Sequence, residues 1–261
     1  MLLLAIETAT EAAGVALADD TGPIVEISTA VGRRHAETLV PAVESACRFA
    51  NVALSEVSAV AVDIGPGLFT GLRVGVGTAK ALGFALGVPV VTASSLEVLA
   101  LGALSALDAL RSRPTTSQIV SVVDARRGEV YWAVFEEGPD GFPRLVRPER
   151  TSPPAQLADE VAGSNALLVG NGAVRYRELL EGIFGEVAGT SLASPAPRAL
   201  AAIGAWRLRH DDVHDAADVL PLYLREADVR INWEARRPQR IEPSDLEPND
   251  LEPNDLDREP A

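Results

Sequence analysis

Glycines at 65, 67 and 71, set among Pro66, Leu68, Phe69 and Thr70, form the stretch of this chain whose residue types and spacing best fit chemistry. A glycine-rich turn that opens a helix can seat an anion, because the first backbone N–H groups of a helix lack partners of their own. The anion or nucleotide candidates are therefore Gly65, Gly67 and Thr70 here, with Glu7 and Thr8 on an earlier polar turn. The loop has no Gly-Lys-Ser/Thr ending of a P-loop, and Glu7-Thr8-Ala9-Thr10 contains no glycine to let a phosphate come close. His35 stands alone and reads as a capping or interface residue, since imidazole ligands of metals come in sets. His210 and His214 are four apart, but an Asp-rich segment lies between them and no third ligand is near. Cys47 falls in an apolar helical pattern that implies a buried, inert thiol, and no serine has a Gly-x-Ser-x-Gly context. These residues give no catalytic group, no metal ligand and no intrinsic cofactor.

The glycines also pattern the helix that follows. Gly71, Gly75, Ala79, Gly83 and Gly87 recur at every fourth residue of a segment from Leu72 to Leu86, so one stripe is nearly bare of side chains. Each interior glycine costs about 1 kcal/mol against alanine, so something must approach that stripe closely. Two occupants fit: the chain's own sheet or a neighbouring helix, and a helix from another chain. Before the loop, Val57 to Val62 reads as a buried strand ending near Asp63. Upstream, Leu2–Ile6, Gly14–Ala18 and Ile24–Thr29 read as strands, and His35–Ala50 as an amphipathic helix with Leu39 and Val43 on its apolar side. Val88–Thr92 then makes a strand and Ser94–Leu110 a helix. From Ile119 the order begins again, with strands at 119–123, 129–136 and 142–148, a helix from Ser152 to about Val161, a strand at 166–169, and helices at 174–184 and 196–209. Three strands, helix, strand, helix thus occurs twice without matching residues, which predicts two similar α/β lobes, 1–110 and 111–225, the last helix packing back on the first.

Residues 226–261 read differently. Between Ile241 and Ala261 eight acids face one arginine, a net −7 out of −14 for the whole chain. The segment repeats Glu-Pro-Asn/Ser-Asp-Leu, and proline with so little apolar area predicts a disordered acidic tail. The remaining body is also acidic, which argues against independent nucleic-acid binding. One basic cluster, Arg225, Arg230, Arg236, Arg237 and Arg240 around Trp233, is interrupted by Glu226, Asp228 and Glu234 and reads as a solvated linker; RNA phosphate or the acidic tail are its alternative partners. The N-terminus carries no basic leader, and a cytoplasmic protein is expected.

Four blocks carry a resemblance: Arg34-His35-Ala36-Glu37 with Leu39 and Pro41; Gly65-Pro66-Gly67-Leu68-Phe69-Thr70-Gly71-Leu72-Arg73-Val74-Gly75; Asp124-Ala125-Arg126-Arg127-Gly128-Glu129-Val130-Tyr131-Trp132; and Pro221-Leu222-Tyr223-Leu224-Arg225. In this order the sequence resembles the bacterial TsaB family, formerly described as glycoprotease-like, of the actin/sugar kinase/Hsp70 superfamily. It departs from the family at Leu68, where Ser is usual, and at Glu7, where Asp is common.

The resemblance implies a two-lobed actin-like, ribonuclease H-like fold. It also implies a non-catalytic subunit that binds and activates its catalytic paralogue TsaD, works with the ATPase TsaE, and forms a homodimer when alone. That assembly places threonylcarbamoyl on the adenosine next to the anticodon of tRNAs reading ANN codons; tRNA meets this chain through the complex, and ATP and metal sit on the partner subunits. The paralogue holds its metal with two histidines four apart, where this chain has His35 and Leu39. Kinases of the superfamily hold phosphates with two hairpin turns, and the second one here carries Arg126 and Arg127 where close backbone approach would be needed. Putting residues and resemblance together, we expect His35, Leu39, Val43, Gly71, Gly75, Ala79 and Gly83 to form the partner interface. The competing readings are a small-molecule or nucleotide-dependent kinase of the same superfamily and a peptidase.

Overall fold

A computed structural model describes residues 1–30, 32, 34–109, 118–181 and 186–225. The order is β1 (Leu3–Glu7), β2 (Ala13–Asp19), β3 (Gly22–Thr29), α1 (His35–Ala50), β4 (Ala59–Asp63), α2 (Phe69–Leu86), β5 (Val90–Ala93) and α3 (Ser95–Ala109). A second series follows: β6 (Gln118–Arg126), β7 (Glu129–Glu137), β8 (Pro143–Ser152), α4 (Pro154–Val161), β9 (Ala166–Val169), α5 (Asn171–Arg175), α6 (Arg177–Glu181), β10 (Glu186–Val187) and α7 (Pro197–Arg209). The two sheets have the same topology. One runs β3-β2-β1-β4-β5, the other β8-β7-β6-β9-β10, with β1 antiparallel to β2 and parallel to β4, and β6 likewise to β7 and β9.

The predicted duplication is therefore present, with two differences of detail. The segment expected as one helix over 174–184 holds two five-residue helices, α5 and α6, and the short strand β10 was not anticipated because two residues carry no readable period. Trp233, the arginines from 230 to 240 and the acidic tail lie outside the described residues.

The central strands β1, β4 and β9 are continuous apolar runs because both faces are covered. Leu4, Ile6, Val60 and Val62 face α1 and α2, while Leu3, Ala5, Ala59 and Ala61 face α7 and part of α3. Helix α3 serves both halves: Val98 and Leu101 pack toward the first sheet, and Leu96, Leu99, Ala100 and Ala103 toward the second. A helix buried on two sides must be apolar around most of its circumference, which is why α3 shows little amphipathic contrast. Helix α7 returns to the first sheet closely enough that a Cβ on Gly204 would stand 2.7 Å from the Ala61 methyl.

Beyond α7 the chain runs as a strap. His214 pairs with Val90, Lys80 donates to the carbonyls of Ala217 and Val219 at 2.8 and 3.0 Å, and Leu222 N donates to Ile64 O at 2.7 Å. No helix of the described residues is long and apolar enough to cross a membrane.

Leu200 of α7 has no exposed surface and lies in the apolar cluster between that helix and the first sheet. Truncating it to alanine should cost about 2–5 kcal/mol, read as a lower urea midpoint at unchanged slope.

Candidate functional site

The residues expected to do chemistry converge where the turn after β1 meets the turn before α2. Thr8 and Ala9 push their carbonyl groups into the glycine stripe: a Cβ on Gly67 would collide with Ala9 O, one on Gly71 with Thr8 O, and one on Gly75 with Thr8 Oγ1. Thr8 Oγ1 donates to Gly71 O at 2.8 Å, Leu68 N donates to Ala9 O at 2.7 Å, and His35 Nε2 lies 2.8 Å from Thr10 O. Gly65, with φ of +106°, makes the bend that brings these partners together.

This geometry corrects two expectations. The turn is no anion seat: Glu7 and Thr8 are buried, the Gly65 and Leu68 amides donate inside the chain, and Gly67 lies flat against Ala9 O. Thr70 is exposed and does not cap the helix, whose cap residue Leu68 has no side chain able to accept a bond. Nor are the seven interface candidates available to a partner. His35, Leu39, Val43, Gly71, Gly75, Ala79 and Gly83 are all buried by the chain itself, and a Cβ on Gly83 would meet Val90 and Ala216 at 2.8 and 2.9 Å. The stripe is bare for its own hairpin and strap, the first of the two occupants that the sequence admitted.

Among the described residues the opposite side of the two helices is exposed. On α1 Val40 is 53% and Phe49 69% exposed; on α2 Phe69 is 45% and Phe84 63% exposed. Between the two phenylalanines of α2 the outer ridge carries Arg73, Gly77 and Ala81, and a Cβ on Gly77 would meet nothing within 4 Å. Arg73 lies 4.1 Å above the Phe69 ring, and Tyr223 of the strap packs beside that ring at 5.3 Å. Both helices lead into strands parallel to β1, so they run in the same direction and present one surface. Amphipathic averaging could not isolate this ridge, because glycine and alanine serve equally on either side of a helix.

The second hairpin turn is built differently. Arg126 and Arg127 adopt φ of +64° and +54°, a conformation that costs a residue with a Cβ roughly 1–2 kcal/mol. The gain is a bridge between the halves: Arg126 reaches Glu11 at 2.6 Å and Asp124 at 3.4 Å, and Arg175 joins Asp124 at 3.5 Å. Arg225 of the strap pairs with Glu129 and donates to Ala125 O. Nearby, an open cavity of about 580 Å³ is lined by Ser94, Glu97, Phe142, Arg144, Trp206 and Arg207 among others. Arg207 holds both oxygens of Glu97 at 2.8 Å, and burial raises the Glu97 pKa despite that cation.

The other candidates stay apart. His210 Nδ1 lies 2.7 Å from Trp206 O with its ring stacked on that indole, whereas the backbone of His214 pairs with Val90. Among the described residues no three His, Cys, Asp or Glu side chains are placed to hold a metal, and Leu39, four residues after His35, is an apolar core residue. Burial raises the Cys47 thiol pKa, as expected of an inert cysteine.

Two sheets of one topology sharing one apolar helix, with a hairpin turn from each half meeting across a cleft, define a two-lobed α/β protein with a duplicated core. Residues 27–233 match the family model described as TsaD, tRNA N6-adenosine threonylcarbamoyltransferase. The chain is 28% identical to the tRNA threonylcarbamoyladenosine biosynthesis protein TsaB of Bacillus subtilis, over 89% of this chain and 98% of that one. To the Escherichia coli protein of that name it is 36% identical over 54% and 58% of the two chains. The crystal structure of YeaZ from Pseudomonas aeruginosa superposes with a TM-score of 0.76 at 30% identity, covering 85% of this chain and 99% of that one. The chain belongs to the TsaB family within this group.

Replacing Gly75 with leucine should destabilise the chain by about 3 kcal/mol, because backbone and Thr8 must both move. The same change at Gly77 should leave urea stability unchanged or raise it by about 0.5–1 kcal/mol through helix propensity. Equal effects at the two positions would contradict the assignment of inner and outer ridges.

Proposed function

We propose that this chain is a non-catalytic subunit of the assembly that puts threonylcarbamoyl on the adenosine beside the anticodon of tRNAs reading ANN codons, and that it binds and activates the catalytic paralogue TsaD. The single observation that supports this reading most is the outer face of α1 and α2: Val40, Phe49, Phe69 and Phe84 are exposed among the described residues, and a Cβ on Gly77 would meet nothing within 4 Å. Single exposed hydrophobics are ordinary, but four of them on two adjoining helices fit a protein interface, and small residues between Phe69 and Phe84 let another helix come close. The names of the relatives, tRNA threonylcarbamoyladenosine biosynthesis proteins, and the match to the transferase family supply the pathway.

In this reading the chain works through its surface. ATP and metal belong to the partner subunits, TsaE supplies the ATPase, and tRNA is engaged through the complex. In the same reading a second copy of the chain occupies this face when the paralogue is missing. The site chemistry favours this over the kinase reading, since the first hairpin turn directs its carbonyl groups into α2 and the second fills its place with arginine.

Gly77→Leu and Phe84→Glu should each weaken co-purification with the paralogue about tenfold or more while the isolated chain stays folded. Reconstituted tRNA modification should fall in parallel when either variant replaces the wild type, and should require this chain altogether. Undiminished binding by both folded variants would exclude the ridge as the docking surface.

A further inference from the structure

Glu7 and Asp63 are a pair of buried acids that no docking role uses. β1 and β4 run parallel with Ile6 opposite Val62, so the next residues leave the sheet side by side. Their exposures are 1% and 0%. Glu7 Oε1 accepts from Ala9 N at 2.7 Å; Asp63 Oδ1 accepts from Gly65 N and from Ser95 Oγ, both at 2.7 Å. That leaves Glu7 Oε2 and Asp63 Oδ2 buried without a donor, at matching positions of neighbouring parallel strands.

Among the described residues no cation is paired with either carboxyl group. α3 contributes the Ser95 hydroxyl, α2 sets Gly71 and Gly75 against the adjoining Thr8, β2 contributes Gly14, and the strap places the Leu222 carbonyl over Gly65. His35 of α1 is engaged with Thr10 O. Two ionised carboxylates side by side in such a place would face both desolvation and mutual repulsion.

We propose that Glu7 and Asp63 share one proton, the Glu7 hydroxyl donating to Asp63 Oδ2, and that this bond fastens the 63–68 turn beneath the start of α2. One proton satisfies both orphan oxygens at once and removes the repulsion. Burial, and then the charge of Asp63, push the Glu7 carboxyl well above its ordinary value, while Asp63 has two donors against the one of Glu7 and is the natural acceptor. The pair titrates as a unit. Because the folded chain keeps a proton that the unfolded chain releases near the usual carboxyl range, stability is greatest below that range and declines as pH rises through the pKa of the folded pair.

The test is urea denaturation of the full chain between pH 5 and 9 for the wild type, Glu7→Gln, Asp63→Asn and the double variant. In Glu7→Gln the amide oxygen still accepts from Ala9 and the amide nitrogen donates to Asp63. In Asp63→Asn the oxygen still accepts from Gly65 and Ser95 and the nitrogen donates to Glu7. Each single variant should be at least as stable as the wild type at pH 8 and should flatten the decline with pH. In the double variant two amide nitrogens face each other with no acceptor, so its folded-to-unfolded ratio should fall about tenfold or more below the product expected from the singles. Additive behaviour of the double variant, or a pH decline that persists in Glu7→Gln, would overturn the shared proton. So would a midpoint that magnesium or calcium raises in the wild type but not in Glu7→Gln, since that would put a cation between the carboxyl groups.

Discussion

The structure depends on one close approach, that of the Thr8 and Ala9 carbonyls against the bare backbone of α2. Glycine at 67, 71 and 75 permits it, and Thr8 Oγ1 and the Leu68 amide hold it with hydrogen bonds. That contact decides three things together. It takes the Leu68 amide, one of the backbone donors that a phosphate would need. It fixes the rotation of α2, turning the Gly71–Gly83 stripe inward and the Arg73–Gly77–Ala81 ridge outward. It also seals the carboxyl groups of Glu7 and Asp63 from water.

The two halves share a topology but treat their hairpin turns in opposite ways. In the first half the turn is folded into its own lobe and its polar groups face inward. In the second, left-handed arginines project across the cleft, and Arg126 is answered by Glu11 from the other side. Exposed ion pairs of this kind contribute little stability each, so their effect is better described as setting the relation of the lobes than as holding the fold together. The fold is held by α3, whose two apolar sides belong to two different sheets, and by α7 and the strap, which bring the end of the described chain back over the first lobe.

In this arrangement the first hairpin turn is closed against α2, and what the first lobe offers is surface. Phe49, Phe69, Phe84 and Val40 stand on helices whose inner faces are fixed by the core, so the backbone that presents them has little freedom left to lose on association. These exposed side chains and membership of the TsaB family are what support the proposed reading of a subunit that acts through its surface.

The sequence by itself determined the element order, the duplication, the burial of Cys47 and the existence of a stripe needing close contact. Each follows from short-range information: hydrophobic period, turn residues, or spacing by four along one helix. Which body would fill the stripe was not legible, because a missing side chain records that something comes near and not what comes. Tertiary structure decided it by placing residues 7–10, more than fifty positions away, against α2. Long separation in sequence likewise hid Asp63 beside Glu7, Ser95 as the partner of Asp63, and Glu11 as the partner of Arg126. Gly77, two positions from Gly75 and chemically identical to it, became the exposed one only because the sheet lies on the other side of the helix.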